Sequence, residues 1–375
     1  MIKEVGILKH IDTILAKIGN GSDPATGAVE APIYLSTAYQ HKSVGQSTGY
    51  DYTRSKNPTR DIVEETIAKL ENGTRGFACT SGMAAIQLIF SLFEKDDQII
   101  VTEDVYGGSY RLFDHYQKAY NIEPVYVTPD KIEENITSRT KALFIETPTN
   151  PLLIELDIKE IAAIAKKHDL LFIVDNTFYT PYLQKPLDDG ADIVIHSATK
   201  YLAGHNDVLA GLVVAKGEEL SERLYYLHNA IGAVLSPFDC TLLIRGMKTL
   251  GLRLEKQQQN AQDLAAFLAD HELIADVLYP GRGGMMSFRV KDKEMVPGFL
   301  SSLETIIFAE SLGGVESFIT YPTTQTHADI PEAERDRRGV CKRLLRFSVG
   351  IEHIEDLKND INQALVKSKE EIVHV

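Results

Sequence analysis

Between residues 58 and 215 the chain alternates short apolar runs with longer amphipathic segments. The apolar runs are predicted to be β-strands, and they cover residues 98–102, 124–128, 142–146, 171–175, 192–196 and 209–215. Nearly continuous apolar strands that are separated by helices are typical of a parallel sheet with helices on both faces. Because ligands of such sheets bind beyond the carboxyl ends of the strands, we expect a functional site at that edge.

The segments between the strands carry the sequence signals of helix ends. Residues 59–70 place apolar side chains on one helical face, and Thr59 is the predicted N-cap. Residues 157–160 predict a capping box at the start of a helix that ends near His168. The alternation of strands and helices therefore predicts an α/β fold.

The pattern changes near residue 235, which indicates a second domain. A long polar helix is predicted around residues 253–262, and a C-terminal helix carries an apolar stripe. The predicted strands of this part are residues 286–290, 305–309 and 345–349, and the stripe consists of Ile354, Leu357, Ile361 and Leu365. A chain of 375 residues is long enough for two domains. We predict an extended arm, a large cofactor-binding domain and a smaller C-terminal α/β domain at residues 1–51, 52–235 and 236–375.

Charge and cysteine content limit the possible partners. The chain has 39 basic and 53 acidic side chains, a net charge of −14 that would repel a nucleic-acid backbone over most of the surface. No run resembles a signal peptide or a membrane span, so we expect a cytoplasmic protein without a membrane partner. Cys79, Cys240 and Cys341 lack the spacing of a zinc site or a disulfide framework, which predicts reduced thiols and no metal site.

Two of the apolar runs end in residues that can do chemistry. Asp175 closes one run, and Ser197, Thr199 and Lys200 follow another. A lysine beside hydroxyls can condense with an aldehyde while the hydroxyls bind a phosphate, and a carboxylate can keep a ring nitrogen protonated. These are the requirements of pyridoxal phosphate. Taken alone, the same residues also fit a surface lysine and a helix-capping aspartate.

Two further segments indicate anion binding. Residues 80–83 precede an apolar helical run, so the backbone N–H groups at that helix start would face an anion, and Gly82 allows a close approach. Arg346 interrupts an apolar strand, which is typical of an edge position or of pairing with an anion.

Seven blocks of the chain resemble the Cys/Met-metabolism family of pyridoxal-phosphate enzymes, in the family's order. These blocks are residues 52–60, 80–85, 105–108, 148–151, 174–177, 197–201 and 309–317. The resemblance extends over nearly the whole chain. It implies the pyridoxal-phosphate-dependent transferase (aspartate-aminotransferase-like) fold, with a mostly parallel central sheet, and a homotetramer of two catalytic dimers.

The resemblance implies a role for each matching residue near the cofactor. Lys200 would bond to the cofactor aldehyde and then act as the general base, while Asp175 would pair with the ring nitrogen. Tyr106, the second catalytic residue, would stack on the ring near the substrate amine, and Asn150 would hydrogen-bond the ring hydroxyl. The remaining cofactor-binding residues would be Ser81, Gly82, Met83, Ser197 and Thr199, with Tyr52 and Arg54 supplied by the neighbouring subunit.

The resemblance also implies a substrate site. Arg346 would clamp the substrate α-carboxylate, assisted by Ser311. Glu310 and Arg111 resemble residues that face the distal polar end of a cystathionine-like molecule in cystathionine γ-synthases and γ-lyases; a solvated salt bridge is the alternative. Gly108 stands where methionine γ-lyases commonly carry a cysteine.

The reaction that the resemblance implies is γ-replacement of an O-acylhomoserine by cysteine or sulfide in methionine biosynthesis. Some synthases that use the succinyl ester carry an arginine immediately after the residue that matches Arg54. This chain has Ser55 there, which favours O-acetylhomoserine. Residues 278–285 are shorter than the corresponding segment of many relatives, and the shortened form also occurs in some bacterial members of this branch. The resemblance does not give the conformation of this segment. A cystathionine γ- or β-lyase remains the alternative.

Overall fold

The computed structural model describes residues 9–328 and 330–373. The first eight residues of the predicted arm and the last two of the predicted C-terminal domain lie outside the described residues. The strands in the described ranges are β1 (Arg75–Cys79), β2 (Gln98–Thr102), β3 (Glu123–Val127), β4 (Thr140–Glu146), β5 (Leu171–Asp175), β6 (Ile193–Ser197), β7 (Gly211–Ala215), β8 (Ile274–Leu278), β9 (Met285–Val290), β10 (Ile307–Phe308), β11 (Phe318–Thr320) and β12 (Leu344–Ser348).

The α-helices alternate with these strands in the first half of the chain and flank them in the second. They are α1 (Ile11–Ala16), α2 (Pro58–Leu70), α3 (Gly82–Phe90), α4 (Gly107–Tyr120), α5 (Ile158–Lys167), α6 (Thr180–Leu183), α7 (Glu218–Ile231), α8 (Pro237–Met247), α9 (Leu250–Ala269), α10 (Met295–Ser301), α11 (Glu332–Arg337) and α12 (Ile354–Val373). Over the described residues, none of the helices has both the length and the apolar character needed to cross a membrane.

The larger sheet has the strand order β1-β7-β6-β5-β4-β2-β3. All its neighbouring strands are parallel except those that pair with β7, which is antiparallel to both β1 and β6. Two antiparallel pairings restore the direction, so β1 runs the same way as β6. The predicted α/β fold with a mostly parallel central sheet is therefore confirmed.

Helices cover both faces of this sheet. Leu143 and Val174 pack on one face in a cluster with residues of α2, α5 and α8. Phe144 and Ile173, which alternate with them along the strands, pack on the other face with residues of α3, α4 and α7. Alternating side chains point to opposite faces of a sheet, and here both faces are buried, which explains the continuous apolar runs.

The second, smaller sheet has the order β10-β11-β12-β9-β8 and is mostly antiparallel. Its core includes side chains of α9, α10 and α12. The apolar stripe predicted on the last helix is buried at Leu357, Ile361 and Leu365. The prediction of a strand over residues 305–309 is wrong in length: only Ile307–Phe308 pair, and both side chains are about half exposed at this edge of the sheet.

The predicted N-cap of the first long helix is also wrong. Asn57 caps α2, because its side chain accepts hydrogen bonds from the N–H groups of Thr59 and Arg60. The Thr59 hydroxyl instead donates to the Pro32 carbonyl and accepts from the Tyr34 N–H. The predicted cap of α5 at residue 157 is present.

The described part of the predicted extended arm begins with a helix that packs against α2. Residues 11–16 are helical, and Leu15 and Ile18 are buried in the same cluster as α2. Most of residues 21–51 have irregular structure with exposed side chains, among them Val29, Leu35 and Val44. The division into arm, large domain and small domain stays a prediction.

Candidate active site

A cavity of about 290 Å³ lies at the carboxyl ends of the strands of the larger sheet. It is lined by twelve of the predicted site residues: Ser81, Gly82, Met83, Tyr106, Asn150, Asp175, Ser197, Thr199, Lys200, Glu310, Ser311 and Arg346. Nine of them end or follow β1, β2, β4, β5 or β6, and because these strands all run in one direction, their carboxyl ends meet at one edge of the sheet. The small sheet contributes one wall through β12 and the loop that follows β10.

Lys200 reaches across the cavity toward this second wall. Its Nζ donates a hydrogen bond to the Ser311 hydroxyl over 3.1 Å. Burial, and then the nearby positive charge of Arg346, lower the pKa of Lys200 to about 8, while Glu310 opposes the shift. A larger share of this amine than of an ordinary lysine is therefore neutral near physiological pH, and the neutral amine is the nucleophilic form.

Asp175 presents one carboxylate oxygen to the protein and leaves the other available. Its Oδ1 accepts hydrogen bonds from the Thr177 N–H at 3.0 Å and from the Thr177 hydroxyl at 2.5 Å. Burial raises the pKa of Asp175, and the two hydrogen bonds oppose that rise because they favour the charged form. Oδ2 can then pair with a protonated ring nitrogen.

The start of α3 approaches β6 closely. Ser81 caps the helix by accepting the Ala84 N–H at 3.0 Å. A Cβ on Gly82 would lie 2.9 Å from the Cβ of Ser197, so only glycine allows this approach. The N–H groups of Gly82 and Met83 belong to the first turn of the helix, where backbone donors bind anions, and the Ser197 side chain lies beside them.

Arg346 is a buried cation that makes no salt bridge with any described carboxylate. Its guanidinium donates to the Asn150 side chain, the Ser311 carbonyl and the Thr320 hydroxyl at 3.0–3.1 Å. Its buried Nε has no hydrogen-bond partner in the part of the chain that the structure describes. Burial lowers the pKa of Arg346 to about 10, which still leaves it charged at neutral pH. A carboxylate in the cavity would supply the missing counter-charge.

Tyr106 lies at the start of α4 and is fixed through its backbone. Its N–H donates to Glu146 Oε2 at 3.0 Å. A Cβ on residue 108 would lie 2.4 Å from Tyr106 Cε1, so the absence of a side chain at Gly108 leaves room for the ring. Gly108 is therefore needed for the orientation of this tyrosine.

Three predicted site residues do not line the cavity of their own chain. Tyr52 is about half exposed, and Arg54 donates to the Asn229 side chain at 3.2 Å. Arg111 is exposed on α4. Glu310, its predicted partner at the distal end of the substrate, is an exposed residue of the cavity wall.

Comparison with known proteins agrees with this geometry. The model of the family described as Cys/Met metabolism PLP-dependent enzyme matches residues 12–366. This chain belongs to that family. A cystathionine gamma-synthase/O-acetylhomoserine (thiol)-lyase of Bacillus subtilis strain 168 is 63% identical over 365 residues, which are 96% of this chain and 98% of the relative.

Two further matches cover a similar share of this family member. A cystathionine gamma-synthase of Haemophilus influenzae is 61% identical over 363 residues, 96% of this chain and 98% of the relative. The crystal structure of cystathionine gamma synthase from Xanthomonas oryzae pv. oryzae in complex with aminoacrylate and cysteine is 39% identical, with a TM-score of 0.95. That match covers 97% of this chain and 100% of the other.

Pyridoxal phosphate is the cofactor of this family member, and the cavity has the groups to hold it. The N-terminus of α3 beside Ser197 suits the phosphate, the available oxygen of Asp175 suits the ring nitrogen, and the neutral fraction of Lys200 suits the aldehyde. Asn150 accepts from Arg346 through its carbonyl oxygen, which leaves its amide N–H groups for the ring hydroxyl. The roles of the single residues stay predictions.

The cavity also contains polar residues that sequence analysis did not propose, namely Glu146, Thr177 and Thr326. Glu146 ends a predicted strand just as Asp175 does, so the rule for carboxyl ends of parallel strands was a usable signal. Thr177 belongs to one of the matching blocks. Thr326 lies in a loop without periodicity and is placed only by the tertiary structure.

Proposed function

We propose that this protein is a cystathionine γ-synthase that replaces the acyl group of an O-acylhomoserine, preferably O-acetylhomoserine, with cysteine or sulfide in methionine biosynthesis. The observation that carries this proposal is the buried Arg346, which has no carboxylate partner among the described residues and lies in the same cavity as Lys200. An amino-acid substrate provides both the carboxylate for the arginine and the amine that exchanges with the lysine. The names of the two most similar relatives reported above support the choice of reaction.

The α-carboxylate of the substrate would bind to Arg346 with help from the Ser311 hydroxyl. Holding it there decides which bond at the α-carbon stands perpendicular to the cofactor ring and can break. When bound, pyridoxal phosphate supplies an electron sink for that bond. Lys200, whose Nζ reaches the Ser311 hydroxyl at 3.1 Å, would remove the α-proton and return protons to neighbouring substrate carbons.

The distal end of the substrate would extend toward the exposed side of the cavity. Glu310 lies in that wall, next in sequence to Ser311, and its carboxylate suits the ammonium group of an incoming cysteine. An incoming sulfide has no such group. We therefore propose that Glu310 contributes to the preference for cysteine over sulfide, and that Arg111 assists at the distal carboxylate.

A paired substrate assay tests the proposed reaction. Purified enzyme with bound cofactor is given O-acetylhomoserine with cysteine, O-acetylhomoserine with sulfide, O-succinylhomoserine with cysteine, or cystathionine alone. We expect cystathionine to form fastest from O-acetylhomoserine and cysteine, and a Lys200→Ala variant to form none. If cystathionine is cleaved and neither acyl ester reacts, the protein is a lyase and the proposal is wrong.

We further propose a homotetramer of two catalytic dimers, in which Tyr52 and Arg54 complete the site of the neighbouring subunit. Both residues lie outside the cavity of their own chain, and the segment before them exposes apolar side chains such as Leu35 and Val44. An exposed apolar segment of this kind is typical of a subunit interface.

We propose that the protein is cytoplasmic, because its three cysteines are free thiols. Cys79, Cys240 and Cys341 are all free, and the first two are buried. Free cysteines are usual in proteins of reducing compartments.

A further inference from the structure

Two carboxyl groups stand side by side in the wall of the cavity. Glu146 ends β4 and Asp175 ends β5, and the two residues are direct partners in the parallel pairing of these strands. Both line the cavity, and Glu146 is only 6% exposed. Two like charges in such a place repel each other strongly, so the pair holds one charge more readily than two.

The hydrogen bonds decide which of the two groups carries the charge. Asp175 accepts two hydrogen bonds, from the N–H and the hydroxyl of Thr177. Glu146 accepts one, from the Tyr106 N–H. A carboxylate is stabilised by each donor that faces it, and a carboxylic acid can still accept one N–H through its carbonyl oxygen. The arrangement therefore favours a charged Asp175 beside a neutral Glu146.

The other charged groups around the pair favour the same distribution. His196 on β6 favours the charged form of Asp175. The carboxyl of Asp104, in the loop after β2, disfavours a charge on Glu146, whereas Arg346 on β12 favours one. The guanidinium of Arg346 donates to Asn150, Ser311 and Thr320 rather than to Glu146. Burial and the charge of Asp175 together hold the pKa of Glu146 well above its ordinary value.

We propose that Glu146 is a positioning residue that keeps its proton at neutral pH, holds the Tyr106 backbone at the start of α4, and leaves Asp175 as the charged member of the pair. Tyr106 is thereby fixed above the place that the cofactor ring is predicted to take. The single charge stays on the carboxylate that is predicted to pair with the ring nitrogen. The inference concerns cofactor binding and does not depend on which thiol or acyl group the enzyme uses.

Two substitutions separate a neutral from a charged Glu146. Glu146→Gln is neutral at every pH and keeps an oxygen that can accept the Tyr106 N–H. Its affinity for pyridoxal phosphate, measured on apoenzyme by the absorbance of the bound cofactor, should stay within about threefold of the unsubstituted protein. Glu146→Ala removes the acceptor, and its cofactor affinity should fall by about tenfold because a buried N–H is left unpaired.

The control for the affinity measurement is a carboxyl group that also accepts one backbone N–H but lies at the amino ends of the parallel strands. Asp192, just before β6, accepts the Phe172 N–H through its side chain at 2.8 Å. Asp192→Asn should leave the cofactor affinity unchanged. Circular dichroism of all three variants shows whether each is folded, and the comparison of Glu146→Gln with the unsubstituted protein stands even if Glu146→Ala does not fold.

An infrared difference spectrum gives a second readout without substrate. Both proteins are measured with bound cofactor at neutral pH. The spectrum of the unsubstituted protein minus that of Glu146→Gln should show the C=O stretch of a protonated carboxyl group. Carboxylate bands in its place would overturn the proposal. A loss of cofactor affinity in Glu146→Gln as large as that in Glu146→Ala would do so as well.

Discussion

Lys200 illustrates how burial changes the protonation of a single side chain. An ordinary lysine has a pKa of 10.5, whereas burial and the nearby Arg346 lower the pKa of Lys200 to about 8. The neutral amine is the form that condenses with an aldehyde. The rate at which apoenzyme binds pyridoxal phosphate, followed by stopped-flow absorbance, should therefore rise with pH and level off above about 8.

A second substitution tests the sign of this dependence. The charge of Glu310 raises the pKa of Lys200, so Glu310→Gln should move the whole rate curve to lower pH. Glu316, a residue of the same loop that hydrogen-bonds Asn206, serves as the control, and Glu316→Gln should leave the curve in place. A rate that still climbs near the ordinary lysine value of 10.5 would contradict the prediction.

Ser311 shows how the site fixes its own backbone. Its φ of 144° lies in a region that non-glycine residues rarely adopt. Such conformations cost roughly 1–3 kcal/mol and persist where neighbouring groups hold them. Here Arg346 binds the Ser311 carbonyl and Lys200 binds its hydroxyl, so the two cations of the site stabilise this conformation.

Among the elements, α2 links the irregular N-terminal segment to the large sheet through its cap. The Asn57 side chain accepts two N–H groups of α2 and donates to the Tyr34 carbonyl at 2.8 Å. Replacing an N-cap by alanine costs about 1 kcal/mol, and the lost bond to Tyr34 adds about 1 kcal/mol. Asn57→Ala should therefore lower the free energy of unfolding by about 2 kcal/mol, measured by urea denaturation at fixed protein concentration.

Asp157 provides the matched control for this loss. It caps α5 through one hydrogen bond to the Glu160 N–H at 3.1 Å and is exposed. Asp157→Ala should cost only about 1 kcal/mol. Equal losses in the two variants would mean that the contacts of Asn57 with the N-terminal segment contribute nothing to stability.

The shortened segment after residue 278 connects two neighbouring strands of the small sheet. Residues 279–284 form the turn between the antiparallel strands β8 and β9. Gly281 and Gly283 adopt positive φ angles of 88° and 74°, which glycine tolerates best. The Tyr279 hydroxyl closes the turn by donating to the Gly283 carbonyl at 3.0 Å.

At the scale of the whole molecule, the proposal that Arg54 completes the site of the neighbouring subunit can be tested by combining two inactive variants. Arg54→Ala and Lys200→Ala should each be inactive when expressed alone. If Arg54 serves the neighbouring site, a mixed dimer contains one site with both residues intact. Co-expression of the two variants should therefore restore part of the activity, measured with O-acetylhomoserine and cysteine.

A pair of substitutions within one site is the control for this experiment. Ser197 and Lys200 line the same cavity of one chain, so co-expressing Ser197→Ala with Lys200→Ala creates no intact site. Its activity should not exceed that of the separate variants. Absence of recovery in the mixture of Arg54→Ala and Lys200→Ala would show that Arg54 acts in its own subunit or not at all.

Several features were predictable from the sequence because they depend on neighbours along the chain. The apolar runs that end at Glu146, Asp175 and His196 predicted buried strands, and the ends of those strands indicated where a cofactor would bind. The cap of α5 was equally local. The strand β1 escaped prediction because Arg75–Cys79 is short and contains glycine and alanine, which have low strand propensity, and because its place in the sheet depends on pairing with a strand that begins at Gly211.

Other features depend on contacts between residues far apart in the chain, and only the tertiary structure decided them. The pairing of β4 with β5 puts two carboxyl groups side by side. The packing of the small sheet buries Arg346, which forms no salt bridge with a carboxylate of residues 9–328 or 330–373. By itself the sequence determined where the buried strands end and which reactive side chains stand at those ends, since both are local properties of the chain. Burial and long-range pairing determined their charges and geometry, because desolvation and neighbouring charges arise only when distant segments pack together.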